Sequence, residues 1–118
     1  MANFWREVAR SNSMWALLDQ SGQAVGVQRK GATYRLLWST PFRLERALAN
    51  HPSYSNYATT KVSWQRFRDE WIPEMERNRE RASVDWVRKR HFVLDPSTVK
   101  MLVEFEMKQI ADASCARR

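Results

Sequence analysis

The chain has 118 residues, of which 43% are hydrophobic and 28% are charged. This size and balance are typical of one globular domain and exclude a disordered chain. The longest purely apolar run, residues 14–18, is far shorter than the roughly 20 residues of a membrane span, so we expect no membrane partner. We therefore predict a single α+β domain over residues 1–118, with a flexible tail from about residue 113.

Cysteine content and the amino-terminal residues indicate the compartment. Cys115 is the single cysteine, so neither an internal disulfide nor a cysteine zinc site can form. Residues 1–7 lack the basic start and apolar stretch of a signal peptide. We expect a cytoplasmic protein.

The charge is strongly positive. Lysine and arginine number 20 against 13 acidic residues, which gives a formal net charge of +7. Most of these cations are arginines, which suit paired hydrogen bonds to carboxylate or phosphate better than lysines do. The balance predicts a partner with an acidic surface, either a protein or a nucleic acid.

The first part of the chain predicts a short helix followed by three strands. Asn3 is a candidate cap for the helix, whose inward positions are Phe4 and Val8. Three extended segments follow, separated by tight turns that contain Gly22 and Gly31, and they cover residues 14–19, 24–27 and 33–38. Consecutive strands joined by short turns indicate an antiparallel meander.

The rest of the chain alternates helices with strands. Capping side chains mark three helix starts, at Thr40-Pro41, Ser63 and Asp95-Pro96. Pro73 lies inside the second of these helices, where it should remove a hydrogen bond and kink the helix. Two further strands are predicted over residues 57–62 and 83–87. The predicted fold is α+β: a mixed, largely antiparallel five-stranded sheet, made of the meander and two later strands, with about four helices packed on it.

Several of these segments resemble a known family. The strand over residues 14–19 with its Gly22 turn, the pair Leu37-Trp38 and the run over residues 71–75 are similar to small bacterial proteins catalogued as domain of unknown function 2750. The likeness covers about residues 4–86, although Ser39 stands where a typical member has proline. It implies this fold and a bacterial source. It assigns no functional residue, because the family has no established reaction.

No reaction motif is visible in the sequence. The glycines Gly22, Gly26 and Gly31 do not form a phosphate-binding G-x-G-x-x-G pattern and fit hairpin turns instead. His51 and His91 are far apart, with no metal-ligand spacing around them. We therefore expect a protein that is not an enzyme and that needs no metal or cofactor.

Basic residues form the first candidate partner-binding set. They are Arg66, Arg77, Arg79, Arg81, Arg88, Lys89 and Arg90. The neighbouring Trp86 and Phe92 could stack on bases while the cations hold phosphates, which would make residues 77–90 a nucleic-acid site. Alternatively, cations near a helix end simply complement its dipole, and Glu76 and Glu80 interrupt the run.

The last helix carries the second candidate set. Val99, Leu102, Val103 and Ile110 recur on one face, and Met101 and Phe105 widen that face beyond an ordinary core stripe. The extra width is explained either by burial against the sheet or by contact with a partner or a second copy of the chain.

Together these features predict a protein-binding module that performs no chemistry itself. One role of this kind is a bacterial immunity protein that neutralises a toxin or effector. The alternative is a nucleic-acid-binding domain that uses residues 77–90. A homodimer is compatible with both.

Overall fold

A computed structural model describes residues 3–85 and 92–116. The elements run in the order α1 (Asn3–Ser11), β1 (Ser13–Leu18), β2 (Gly26–Arg29), β3 (Ala32–Trp38), α2 (Pro41–Asn50), β4 (Ala58–Ser63), α3 (Trp64–Arg66), a π-helical segment (Phe67–Trp71), α4 (Ile72–Arg77), β5 (Arg81–Val84), β6 (Phe92–Leu94) and α5 (Pro96–Ala116). Because α3, the π-helical segment and α4 form one continuous helix, the described residues contain four helices besides a short 3₁₀ helix, Pro52–Tyr54. We call this continuous helix, residues 64–77, the composite helix.

The sheet confirms the predicted class. Its strand order is β4-β1-β3-β5-β6, with β2 paired to β3 beside this path. All pairings are antiparallel except that of β3 with β5, which is parallel because α2, β4 and the composite helix lie between them in the chain. The short strand β6 adds a sixth strand to the five predicted. The sequence predicts the fifth strand over residues 83–87, whereas β5 spans Arg81–Val84; residues 86 and 87 lie outside the described residues.

The first three strands differ in detail from a simple meander. β3 pairs with β2 along its first half, where Arg35 lies opposite Gly26, and with β1 along its second half, where Leu37 lies opposite Ala16. A loop over residues 19–23 joins β1 to the residues just before β2. These residues contact β1: Leu18 and Ala24 form a bridge, and the Val25 backbone donates to the Leu17 carbonyl at 2.9 Å. β2 itself pairs with β3.

A side-chain-capped turn holds this loop. The Asp19 carboxylate accepts hydrogen bonds from the backbone and hydroxyl of Ser21, at 2.9 and 2.6 Å, and from the Gln23 backbone at 3.0 Å. Gly22 adopts φ +84°, which side chains rarely tolerate. These bonds hold the pKa of Asp19 below its ordinary value, the Ser21 hydroxyl contributing most.

Apolar side chains cover both faces of the sheet. On one face, Ala16 and Leu37 pack with α1, the composite helix and α5, around residues such as Phe67 and Val103. On the other face, Leu36 and Trp38 pack against Leu44 and Ala47 of α2 and neighbouring aromatic residues. β3, buried from Arg35 to Trp38, is the strand on which both cores meet.

The predicted helix starts are confirmed. The Thr40 hydroxyl accepts from the Arg43 backbone at 3.2 Å, and the Ser63 hydroxyl accepts from the Arg66 backbone at 3.1 Å. α5 begins directly after Asp95 and continues to Ala116, past the predicted start of the tail. Among the described residues, no helix is long and apolar enough to cross a membrane.

Pro73 does affect its helix, through a change of helix type. The Ile72 backbone donates to the Phe67 carbonyl five residues earlier, which makes the preceding turn π-helical. In a regular helix, side chains four residues apart drift by about 40° per step. The wider turn offsets this drift, so Phe67, Trp71 and Met75 stay on one buried face.

Candidate functional site

A buried arginine on β3 organises the first polar cluster. Arg35 is 5% exposed. Its Nε and Nη2 donate to the two carboxylate oxygens of Glu80 at 3.2 and 2.7 Å, and Nη2 also donates to Glu74 at 3.0 Å. Its guanidinium carbon lies 5.3 Å from the ring centroid of Trp71. Paired hydrogen bonds and stacking both require a planar guanidinium, so a lysine could not replace Arg35 here.

The composite helix and the turn after it bring these partners to Arg35. Trp71 and Glu74 are three residues apart and therefore project from one side of the helix. The helix ends in a Schellman motif, in which the Glu80 backbone donates to Met75 at 2.8 Å and the Arg79 backbone donates to Glu76 at 3.2 Å. This motif reverses the chain and directs Glu80 back to the sheet.

A polar cavity of about 150 Å³ adjoins this cluster. Its lining includes Arg35, Thr60, Arg66, Trp71 and Glu74. The predicted partner-binding residue Arg66 therefore lies near the first turn of the composite helix, at the opposite end from Arg77. It forms an exposed ion pair with Glu70 at 3.7 Å.

A second polar cluster joins α1, the end of β3 and the end of β5. The Ser39 hydroxyl lies 2.5 Å from Glu7 Oε2 and 3.1 Å from both carboxylate oxygens of Asp85. The Ser39 backbone donates to Asp85 at 2.8 Å. Arg43 of α2 donates to both oxygens of Glu7, at 3.3 and 3.2 Å. One hydroxyl thus lies between two carboxyl groups.

Burial and hydrogen bonding shift the pKa values of the two carboxyl groups in this cluster in opposite directions. Burial raises the pKa of Asp85, against the opposing effects of the Ser39 backbone bond and the Arg43 charge. Burial alone would also raise the pKa of Glu7, but bonds from Ser39 and Arg43 outweigh it and lower that pKa. Because Ser39 is 3% exposed, its hydroxyl is not open to a substrate, and we read its contacts with Glu7 and Asp85 as structural.

Four exposed cations lie at one end of the sheet. β3 and β5 are parallel neighbours, with Tyr34 opposite Arg81, so the turns that precede them lie at the same end. These turns and the end of α4 carry Arg29, Lys30, Arg77 and Arg79, which we call the basic end. Within residues 3–85 and 92–116, no carboxylate forms an ion pair with any of the four.

Two of these cations have unusual backbone conformations. Lys30, in the two-residue turn between β2 and β3, has φ +51°, and Arg79, after α4, has φ +55°. The turn before β3 favours asparagine followed by glycine, and the Schellman position of Arg79 favours glycine. Long cationic side chains thus occupy two positions where the backbone prefers small residues.

The other predicted basic residues have different surroundings. Arg81 begins β5 and pairs with Asp95 at 3.2 Å, so its charge is already balanced. The segment Arg88-Lys89-Arg90 and the neighbouring Trp86 lie outside the described residues. The structure therefore places Arg77 and Arg79 beside Arg29 and Lys30, two cations that are not among the predicted partner-binding residues.

The predicted apolar residues of α5 are on the surface. Met101 is 62% exposed and Phe105 is 57% exposed, one helical turn apart. Val99 and Val103 form the buried stripe of the helix, whereas Ile110, predicted to be on that stripe, is 39% exposed. Met101 and Phe105 therefore do not extend the core.

Neither polar cluster is predicted from the sequence. The sequence does contain an indication for Arg35. It stands two residues before Leu37, so in a strand both side chains lie on the same face, and a charge on a buried face needs a partner. For Ser39 and Asp85 no signal is available, because their contact spans 46 residues of sequence.

Neither the largest of the cavities discussed nor the metal-binding side-chain types of the described residues point to a specific ligand. A cavity of about 560 Å³ lies where the composite helix begins against α5, and Arg68 and Glu104 are among its lining residues. Within the described ranges, no group of three His, Cys, Asp or Glu side chains is placed to hold a metal ion.

Comparison with known families gives one match. The sequence profile of a family described as "Protein of unknown function (DUF2750)" matches residues 1–102. The chain belongs to this family. No curated protein matches the chain. The DUF2750 match includes both polar clusters and the basic end, and it stops inside α5, before Phe105.

Proposed function

We propose that the protein is a protein-binding module whose basic end contacts an acidic surface of a partner protein. The observation that carries this proposal is the conformation of Lys30 and Arg79, each in a left-handed backbone region. A non-glycine residue there costs of order 1 kcal/mol. A cation at each of these positions is explained, despite this cost, if the charged side chain contacts the partner.

The charge balance of the basic end supports binding to an acidic group. Four exposed cations lie there, and Glu76 is the exposed acid among them. Their positive field extends over about one Debye length, roughly 8 Å at physiological salt, and accelerates encounter with an acidic partner. Arginine supplies three of the four charges and can pair with carboxylates through two hydrogen bonds at once.

The surroundings of the basic end favour a protein over a nucleic acid. Single-stranded nucleic acid needs exposed aromatic side chains for stacking. Among the residues whose side-chain exposure the structure describes, which leave out Trp86 and Phe92, the largely exposed aromatics are Phe42 and Phe105. Phe42 follows the opposite end of β3, and Phe105 lies on α5, more than two helical turns from Pro96. An immunity protein of a bacterial cytoplasm, neutralising a toxin or effector, is one form of the proposed module.

The experiment separates binding from folding by restoring preferred turn residues. The double variant Lys30→Asn, Arg79→Gly places the favoured residue types in both turns. We expect it to be more stable than the wild type by about 1 kcal/mol, as measured by urea unfolding. We also expect it to lose at least tenfold in affinity for an acidic protein captured from the encoding organism after nuclease treatment.

A matched control removes the same charge elsewhere. The double variant Arg46→Gln, Lys61→Gln changes exposed cations on α2 and β4 and should retain the partner. Equal loss of binding in both variants would show that only net charge matters and would contradict the proposal. Loss of the captured partner on nuclease treatment, with retention of a labelled oligonucleotide, would instead favour the nucleic-acid alternative.

A further inference from the structure

We infer that the exposed face of α5 binds a second copy of this chain, forming an antiparallel, two-fold symmetric helix pair. The apolar part of this face is Met101 and Phe105, both more than half exposed. Four exposed charged residues accompany them, at spacings of four residues: Lys100, Glu104, Lys108 and Asp112. We call this set of six residues the α5 face.

The charges of the α5 face permit self-association of a strongly basic chain. The whole protein carries a net charge of +7, so copies repel one another over most of their surface. The α5 face carries two cations and two anions and is therefore neutral. Lys100 and Glu104 already approach within 4.0 Å along the helix.

The order of the charges selects the antiparallel arrangement. The signs alternate as positive, negative, positive, negative along the helix. With a two-fold axis at the level of Glu106, Lys100 faces the second copy's Asp112, and Glu104 faces the second copy's Lys108. Every facing pair is then of opposite charge. A parallel pair in register would place like charges opposite each other, which is unfavourable.

The same axis brings the apolar residues together. Phe105 is one residue from the axis, so the two Phe105 rings meet beside it, about 3 Å apart along the helix direction by the rise per residue. Aromatic pairs of this kind add stability beyond simple burial. Met101 lies opposite the second copy's Ala111, an exposed small residue.

The α5 face lies at the edge of the family match. That match ends at residue 102, so it includes Lys100 and Met101 but not the other four residues of the face. The inference is independent of the basic end, because none of the six residues belongs to it. One helix pair is a small interface, at or below about 1,200 Å², so we expect a weak dimer with a Kd on the order of 10 μM.

Sedimentation velocity of the full chain over a range of concentrations tests the dimer. We expect a concentration-dependent dimer in the wild type and at least tenfold weaker association in Phe105→Asp. The matched control is Phe42→Asp, since Phe42 is 65% exposed on α2 and should leave the dimer unchanged. Circular dichroism should show both variants folded.

Charge exchange tests the arrangement itself. Glu104→Lys alone and Lys108→Glu alone should each weaken self-association, because each creates like-charged pairs across the axis. A mixture of these two variants should form a heterodimer more readily than either forms a homodimer, and the double variant should recover wild-type association. A monomer at all concentrations, or a dimer indifferent to Phe105→Asp or to these exchanges, would overturn the inference.

Discussion

Replacing Arg35 should reveal how strongly the fold depends on its buried ion pair. Arg35→Met keeps much of the side-chain volume but removes the cation and three hydrogen bonds. The Glu80 side chain, 11% exposed, is then left without its counter-charge. Breaking a buried pair in this way costs about 3–5 kcal/mol. For a domain of this size, that is a large share of the roughly 5–15 kcal/mol of total stability.

The loss of stability in each variant depends on which hydrogen bonds the remaining partner keeps. In Glu80→Gln the amide still accepts one bond and Arg35 keeps Glu74, so we expect a loss of about 1–3 kcal/mol. In the double variant Arg35→Met, Glu80→Gln no buried charge is left unpaired. Its loss should therefore be smaller than the sum of the two single losses by about 2 kcal/mol, which is the coupling between the residues.

Urea unfolding, followed by far-ultraviolet circular dichroism, measures these differences. Glu74→Gln serves as the control, because the Glu74 side chain is half exposed and bonds to the same guanidinium. It should cost less than about 1 kcal/mol. A loss below about 1 kcal/mol for Arg35→Met, or additive losses in the double variant, would refute the reasoning that Glu80 depends on Arg35.

Two further predictions concern Asp85 and Gly22. The pKa of Asp85 is raised in the folded state, so folding favours the protonated carboxyl. The contribution of Asp85 to stability is therefore greatest below its unfolded pKa of 3.8, and it is lost as the pH rises through the folded pKa. The stability of Asp85→Asn relative to the wild type, measured by thermal unfolding, should therefore increase between about pH 4 and about pH 8. A stability difference that stays constant over this range would contradict the prediction. Gly22→Ala, at φ +84° in open space, should cost about 1 kcal/mol, whereas Gly22→Asn should cost less; equal urea midpoints for all three proteins would exclude backbone strain there.

The sequence by itself determined the fold class and most of the elements. Local chemistry fixed them: Thr40 and Ser63 cap helices through bonds to residues three positions later, and Gly22 permits a turn that other residues resist. Such signals depend on neighbouring residues and can be read directly. The same locality explains why Pro73 indicates a distorted helix, although the form of the distortion, a π-helical turn over Phe67–Trp71, is seen only in the structure.

Only the tertiary structure decided which charged residues meet. Arg35 and Glu80 are 45 positions apart, and Ser39 and Asp85 are 46 apart, so their contacts depend on the parallel pairing of β3 with β5. The same pairing gathers two distant turns into the basic end. Sequence patterns record periodicity and local bonding, whereas the cost of burying a charge depends on partners that the folded sheet brings together.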